Sequence, residues 1–123
     1  MTRHHHSYQR TDRVREQILR ELAELIRSGI KDPRLGFVTL TDVQITRDYS
    51  CADVYYTVLD DNQRQESQSV LDKASGFLRS ELARRITLFR VPELHFIYDT
   101  SIEHGMHIDQ LLHQVSQEKP VED

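Results

Sequence analysis

A chain of 123 residues suits one domain around one modest core. Charged residues make up 29% of it, and no apolar run approaches the ~20 residues that a membrane helix needs. A net charge of −4 and a lone cysteine argue against a uniformly basic nucleic-acid binder and exclude an internal disulfide framework.

Residues 1–10, with the run His4-His5-His6, are polar and read as a disordered or tag-like segment. A first helix starts near Thr11 or Asp12, either of which can cap it. Val14, Ile18, Leu22 and Leu25 recur at helical spacing, with Leu19 and Ile26 widening the stripe, and Gly29 ends it. Arg13, Arg20 and Arg27 lie seven apart and form one exposed stripe. Lys31 to Gly36 is a loop in which Pro33 biases Asp32 towards extended geometry.

Phe37 to Thr46 is rich in β-branched residues, but its alternation changes phase: Val38 and Leu40 share one face, Val43 and Ile45 the other. A β-bulge near Thr41-Asp42 reconciles the halves. Arg47 to Ser50 is a turn, and Cys51 to Leu59 a second strand with Ala52, Val54, Tyr56 and Val58 on one face. The two strands pair as an antiparallel hairpin. A polar linker then leads into a helical segment carrying Val70, Leu71, Ala74, Leu78, Leu82 and Ile86. Gly76 interrupts it at a cost of ~1 kcal/mol relative to alanine, which predicts a kink or break at Ala74-Ser75-Gly76. Leu94, Phe96 and Tyr98 alternate as a third strand, parallel to the second because a helical crossover connects them. Ile108, Leu111, Leu112 and Val115 mark a C-terminal helix, and residues 116–123 are an acidic flexible tail. The expected fold is α+β: helices on one face of a three-stranded sheet, with residues 11–115 as the domain.

Charge is unevenly spread along this order. Residues 1–40 carry +3 and residues 73–90 carry +4, while 41–72 and 91–123 carry −5 and −6. Folded RNA responds to a local cationic patch more than to a total. Catalytic patterns are weak. Cys51 opens a strand with no histidine nearby in sequence and reads as a structural thiol. His95, His104, His107 and His113 include a pair at helical spacing, but no third ligand is marked, so no metal site and no cofactor are expected. No glycine-rich phosphate loop is present, so no small-molecule substrate or enzymatic activity is expected. The kinked segment is more informative. In KH domains a GXXG loop between two helices clamps backbone nucleotides, and here Ala74-Ser75-Gly76 sits at that place between Lys73 and Arg79.

Four motifs stand in register: Lys31-Asp32-Pro33-Arg34-Leu35-Gly36, Thr46-Arg47-Asp48, Lys73-Ala74-Ser75-Gly76-Phe77-Leu78-Arg79-Ser80, and Arg90-Val91-Pro92-Glu93-Leu94 with Tyr98-Asp99. Together they resemble the ribosome-binding factor A family over residues 11 to about 115. The resemblance implies a KH-like type II two-layer sandwich of the order helix-strand-strand-helix-kink-helix-strand with a C-terminal helix. In it an AxG kink, here Ala74 to Gly76, replaces GXXG. It implies a bacterial cytoplasmic factor that binds the free 30S subunit and assists maturation of the 5′ region of 16S rRNA, with a part in cold adaptation. The expected RNA contacts are Arg34, Arg47, Lys73, Arg79, Arg84, Arg85 and Arg90, with a monomer as the binding unit. Two readings from other classes stand beside it: a protein–protein adaptor using the open sheet face or the acidic tail, and a metal-dependent hydrolase using the histidines.

Overall fold

Helix α1 (Arg10–Gly29) forms because its apolar residues fall on one face: Val14, Ile18, Leu22, Leu25 and Ile26 are all buried. The computed structural model describes residues 10–88 and 90–101. α1 begins at Arg10, slightly earlier than the capping residues predict. Thr11 and Asp12 lie in its first turn, where the Asp12 carboxylate complements the positive end of the helix dipole. Arg13, Arg20 and Arg27 are exposed, as their spacing predicts.

The loop after α1 closes on Asp32. Its carboxylate accepts the Arg34 backbone N–H at 2.9 Å and the Arg34 guanidinium at 2.7 and 3.1 Å, and its carbonyl accepts the Leu35 N–H at 3.0 Å. Gly36 then donates its N–H to the buried Ser67 hydroxyl at 2.9 Å. A Cβ at Gly36 would stand 2.9 Å from Gln63 Oε1 and 3.2 Å from Gln63 Cβ, so a side chain there requires Gln63 to shift.

Strands β1 (Val38–Ile45), β2 (Cys51–Val58) and β3 (Glu93–Tyr98) form one sheet in the order β1-β2-β3. β1 and β2 are antiparallel; β2 and β3 are parallel, as a helical crossover requires. The register slips between Leu40 and Asp42, which is the bulge that the phase change predicts. Thr41, set aside by the slip, donates its hydroxyl to the Asp99 carboxylate at 2.6 Å. Ala52, Val54, Tyr56, Val58, Leu94 and Phe96 face the helices and are buried, while Cys51, Asp53, Glu93 and His95 alternate onto the outer face.

A short 3-10 turn (Asp61–Gln63) leads into α2 (Arg64–Arg85). The Tyr56 hydroxyl donates to Gln68 Oε1, and the Gln68 amide donates to the Phe96 carbonyl at 2.8 Å, so one α2 side chain ties both β2 and β3. Burial and the nearby Asp72 charge push the Tyr56 phenol up to about 12. Here one expectation needs correcting. α2 is a single helix that runs through Ala74-Ser75-Gly76, and the two short helices do not form. Gly76 is exposed, has no positive φ, and has no heavy atom within 4 Å of where a Cβ would sit. Its ~1 kcal/mol cost is outweighed by full burial of Leu71, Leu78 and Leu82 on either side, at roughly 1.5–3 kcal/mol each. Ser75 donates its hydroxyl to the Asp72 carbonyl at 2.9 Å, a back-bond of the kind that bends helices rather than ending them.

The architecture is thus the α+β KH-like sandwich: two helices packed on one face of a three-stranded sheet around a single core. The expected C-terminal helix and acidic tail lie outside the described residues.

Candidate nucleic-acid interface

The expected contact residues fall into three groups. The first surrounds the β1–β2 turn. Asp48 builds this turn: its Oδ1 accepts the Ser50 hydroxyl at 2.7 Å, the Ser50 N–H at 3.0 Å and the Thr46 hydroxyl at 3.0 Å. These bonds, Ser50 first, and the field of Arg90 hold its carboxyl below the usual carboxylate range. Tyr49 takes φ 63°, the left-handed conformation that lets the chain reverse within these few residues. Asp48 is therefore committed to the turn. Arg10, Arg47 and Arg90 line the same shallow concavity, together with Asp48, Tyr49 and Leu88. Among the described residues, none of these three arginines forms a salt bridge.

The second group lies where the α1–β1 loop crosses the middle of α2. Lys31, Asp32, Lys73, Ala74 and Phe77 line a groove there with Gly29 and Val70. Arg34 is locked to Asp32. Its hydrogen bonds bring the Asp32 carboxyl down to about 2, with a smaller contribution from the Lys73 charge. Ala74 forms part of the groove wall between Lys31 and Lys73, while Ser75 and Gly76 do not line it.

The third group ties the fold together. Arg79 donates Nε and Nη2 to the Val91 carbonyl at 3.0 and 2.9 Å, tethering the α2–β3 loop. Arg85 Nη1 meets Glu21 Oε1 at 3.2 Å and links the two helices. Arg84 differs from both: its side chain is 79% exposed and only grazes Glu81 at 3.9 Å.

Sequence reasoning misses several neighbours of these residues. Arg10 reads as the end of the polar N-terminal segment, yet it opens α1 and joins Arg47 and Arg90. Lys31 stands in the loop motif but is not among the expected contacts. Phe77 is 47% exposed in the groove beside Lys31 and Lys73, so an aromatic face accompanies the cations there. Such a pairing can stack a base while neutralising phosphates. The +3 charge of residues 1–40 is the signal for Arg10 and Lys31; no sequence signal marks Phe77, because apolar residues at helical spacing read as core. The structure also brings Cys51, Glu93 and His95 together, their ligand atoms all within 4.8 Å of one another. The sequence shows no such cluster, since only the pairing of β2 with β3 aligns these positions.

Comparison with known proteins agrees with this fold. The sequence profile of ribosome-binding factor A matches residues 10–112. Ribosome-binding factor A of Neisseria gonorrhoeae is 60% identical over 116 residues, 94% of each chain. The protein of the same name from Chromobacterium violaceum is 56% identical over 111 residues, 90% of this chain and 80% of its own. The crystal structure of ribosome-binding factor A from Thermus thermophilus superposes with a TM-score of 0.62 at 31% identity, covering 70% of this chain and 91% of that one. A homology model of the Thermus thermophilus factor, fitted into a cryo-EM map of its 30S complex, gives 0.61 at 31% identity with the same coverage. With its four motifs in register, its bulged hairpin and parallel third strand, and a profile match across most of its length, the chain belongs to the ribosome-binding factor A family.

Proposed function

We propose that this protein is a small-subunit assembly factor: it binds the free 30S subunit and assists maturation of the 5′ region of 16S rRNA, including in the cold. The observation that carries this reading is the edge formed by Arg10, Arg47 and Arg90, three cations without salt-bridge partners among the described residues. It occurs in a family whose Thermus thermophilus member was fitted into a map of a 30S complex. Phosphates supply the natural counter-charge, and neutralising them releases condensed cations. The protein acts by binding as a cytoplasmic monomer. A surface that grips immature rRNA more tightly than mature rRNA biases RNA folding by that difference in affinity and needs no chemical step.

Among the expected contacts, Arg47, Arg90, Lys73 and Arg84 are available to RNA, joined by Arg10 and Lys31. Arg34, Arg79 and Arg85 hold the surface in shape through Asp32, Val91 and Glu21. Co-sedimentation with purified 30S subunits across a salt series tests the reading. Binding to free 30S subunits should fall steeply as salt rises. In cells lacking the factor, 16S rRNA with an unprocessed 5′ end should accumulate, most visibly at low temperature. Binding that ignores salt and survives removal of the rRNA would favour the protein–protein adaptor instead.

A further inference from the structure

The outer face of the sheet carries a cluster that the ribosomal reading does not use. β2 and β3 run parallel, with Cys51 beside Glu93 and Asp53 beside His95. All four belong to the alternate positions facing away from the helices, because Ala52 and Leu94 between them are buried. A thiol, a carboxylate and an imidazole are thereby gathered within 4.8 Å of one another. His95 has a carboxylate near each ring nitrogen: Glu93 Oε1 is 3.9 Å from Nε2, and Asp53 Oδ1 is 3.7 Å from Nδ1.

We propose that Cys51, Glu93 and His95 form a binding site for a borderline-soft divalent metal of the zinc class, with Asp53 orienting the histidine. The ligand set is sulfur, nitrogen and oxygen, which suits Zn²⁺ and disfavours hard cations such as Mg²⁺. In a tetrahedral zinc site, donor atoms lie roughly 3.3–3.8 Å apart, as follows from bond lengths near 2.0–2.3 Å. Separations of up to 4.8 Å therefore call for a contraction of up to roughly 1–1.5 Å. The His95 and Glu93 side chains are 49% and 64% exposed, so they are free to make it without moving the core. His95 coordinates through Nε2, which leaves Nδ1 facing Asp53 Oδ1 at 3.7 Å, outside hydrogen-bond distance. The pair closes to an Nδ1–H···O bond as the ring is drawn to the metal. This is the carboxylate–histidine–metal arrangement that fixes the tautomer and ring plane. Cys51 binds as the thiolate and releases its proton to solvent. Three protein ligands leave a fourth position for water or for a donor from a bound partner. The site adjoins the β1–β2 turn, since the Glu93 N–H donates to the Ser50 carbonyl at 2.9 Å.

Cobalt(II) tests the site in the full chain, because a cobalt–thiolate bond gives a near-ultraviolet charge-transfer band that histidines alone cannot produce. Any metal held by His4 to His6 or by the later histidines would lack that band. Co²⁺ should produce the band at one equivalent per chain, Zn²⁺ should abolish it, and excess Mg²⁺ should leave it unchanged. Cys51→Ser should remove it entirely, His95→Ala and Glu93→Gln should each weaken Co²⁺ affinity at least tenfold, and Asp53→Asn should weaken it less. All four side chains lie on the outer face, so circular dichroism of the variants should match the parent. Absence of a thiolate band at saturating Co²⁺ overturns the proposal. So does a band that persists undiminished in His95→Ala, or one that requires two chains per metal.

Discussion

Arg47 and Arg79 stand in family-like motifs of similar appearance, yet the structure treats them oppositely. Arg79 spends two donors on the Val91 carbonyl, and Arg85 is drawn towards Glu21. Arg47, in the β1–β2 turn, and Arg90, within the α2–β3 loop, meet no acidic partner at salt-bridge distance among the described residues. An arginine already bonded to its own fold must give up those bonds to meet a phosphate, whereas one without a bonded partner gives up water and, for Arg90, part of its longer-range attraction to Asp48. A basic motif therefore mixes tethered and untethered cations, and only the position of distant acceptors separates them.

The largest effect expected from this contrast is on binding. Reversing Arg47→Glu and Arg90→Glu together should weaken 30S binding roughly a hundredfold at low salt, with stability changed by no more than about 0.5 kcal/mol. Co-sedimentation and thermal melting measure the two quantities, and wild-type binding by the double variant would remove this edge from the interface. The tether should behave conversely. Arg79→Ala loses two charge-assisted hydrogen bonds at an exposed site and should cost about 1 kcal/mol, seen as a fall of a few degrees in Tm. A neutral Arg79→Ala would show that Val91 needs no anchor.

Two glycines sharpen the comparison further. Gly76 has open space around it, so Gly76→Ala should stabilise the domain by up to about 1 kcal/mol in chemical denaturation. Gly36→Ala should destabilise it, because the new methyl meets Gln63. If Gly76→Ala were the more damaging of the two, α2 would need the break that the structure lacks. A smaller effect concerns acid. The folded-state pKa of Asp32 is depressed to about 2 from 3.8, so its contribution to loop closure is fully present above about 3.8 and is lost as pH falls through about 2. The Arg34 amide resonance in an NMR titration should report this low midpoint; a midpoint near 3.8 would mean the pair is not formed in solution. Smallest of all, deleting residues 116–123 should leave Tm nearly unchanged, as their acidic, non-periodic sequence suggests.

The break expected at Gly76 shows how local reading misleads. Glycine taken alone suggests interruption, but Leu71, Ala74, Leu78 and Leu82 keep one helical face across it. That periodicity is visible in the sequence and outweighs the single residue, because several buried leucines exceed one glycine in free energy. The bulge at Thr41 is the opposite case: the phase change from Val38 and Leu40 to Val43 and Ile45 leaves only one way to keep apolar residues inward.

By itself the sequence determined the first helix, the strand order, the bulged hairpin, the parallel third strand and the family. Each of these follows from repeats of two or 3.6 residues, from turn chemistry or from motifs in register, all of which are carried by near neighbours in the chain. Only the tertiary structure decided which cations are spent and which remain available. Val91, Glu21 and the partners of Cys51 lie far from Arg79, Arg85 and Cys51 in sequence, and packing alone brings them within bonding distance. Hydrogen bonds and charge pairs act over a few ångströms, so their partners are set by where the core places each backbone rather than by spacing along the chain.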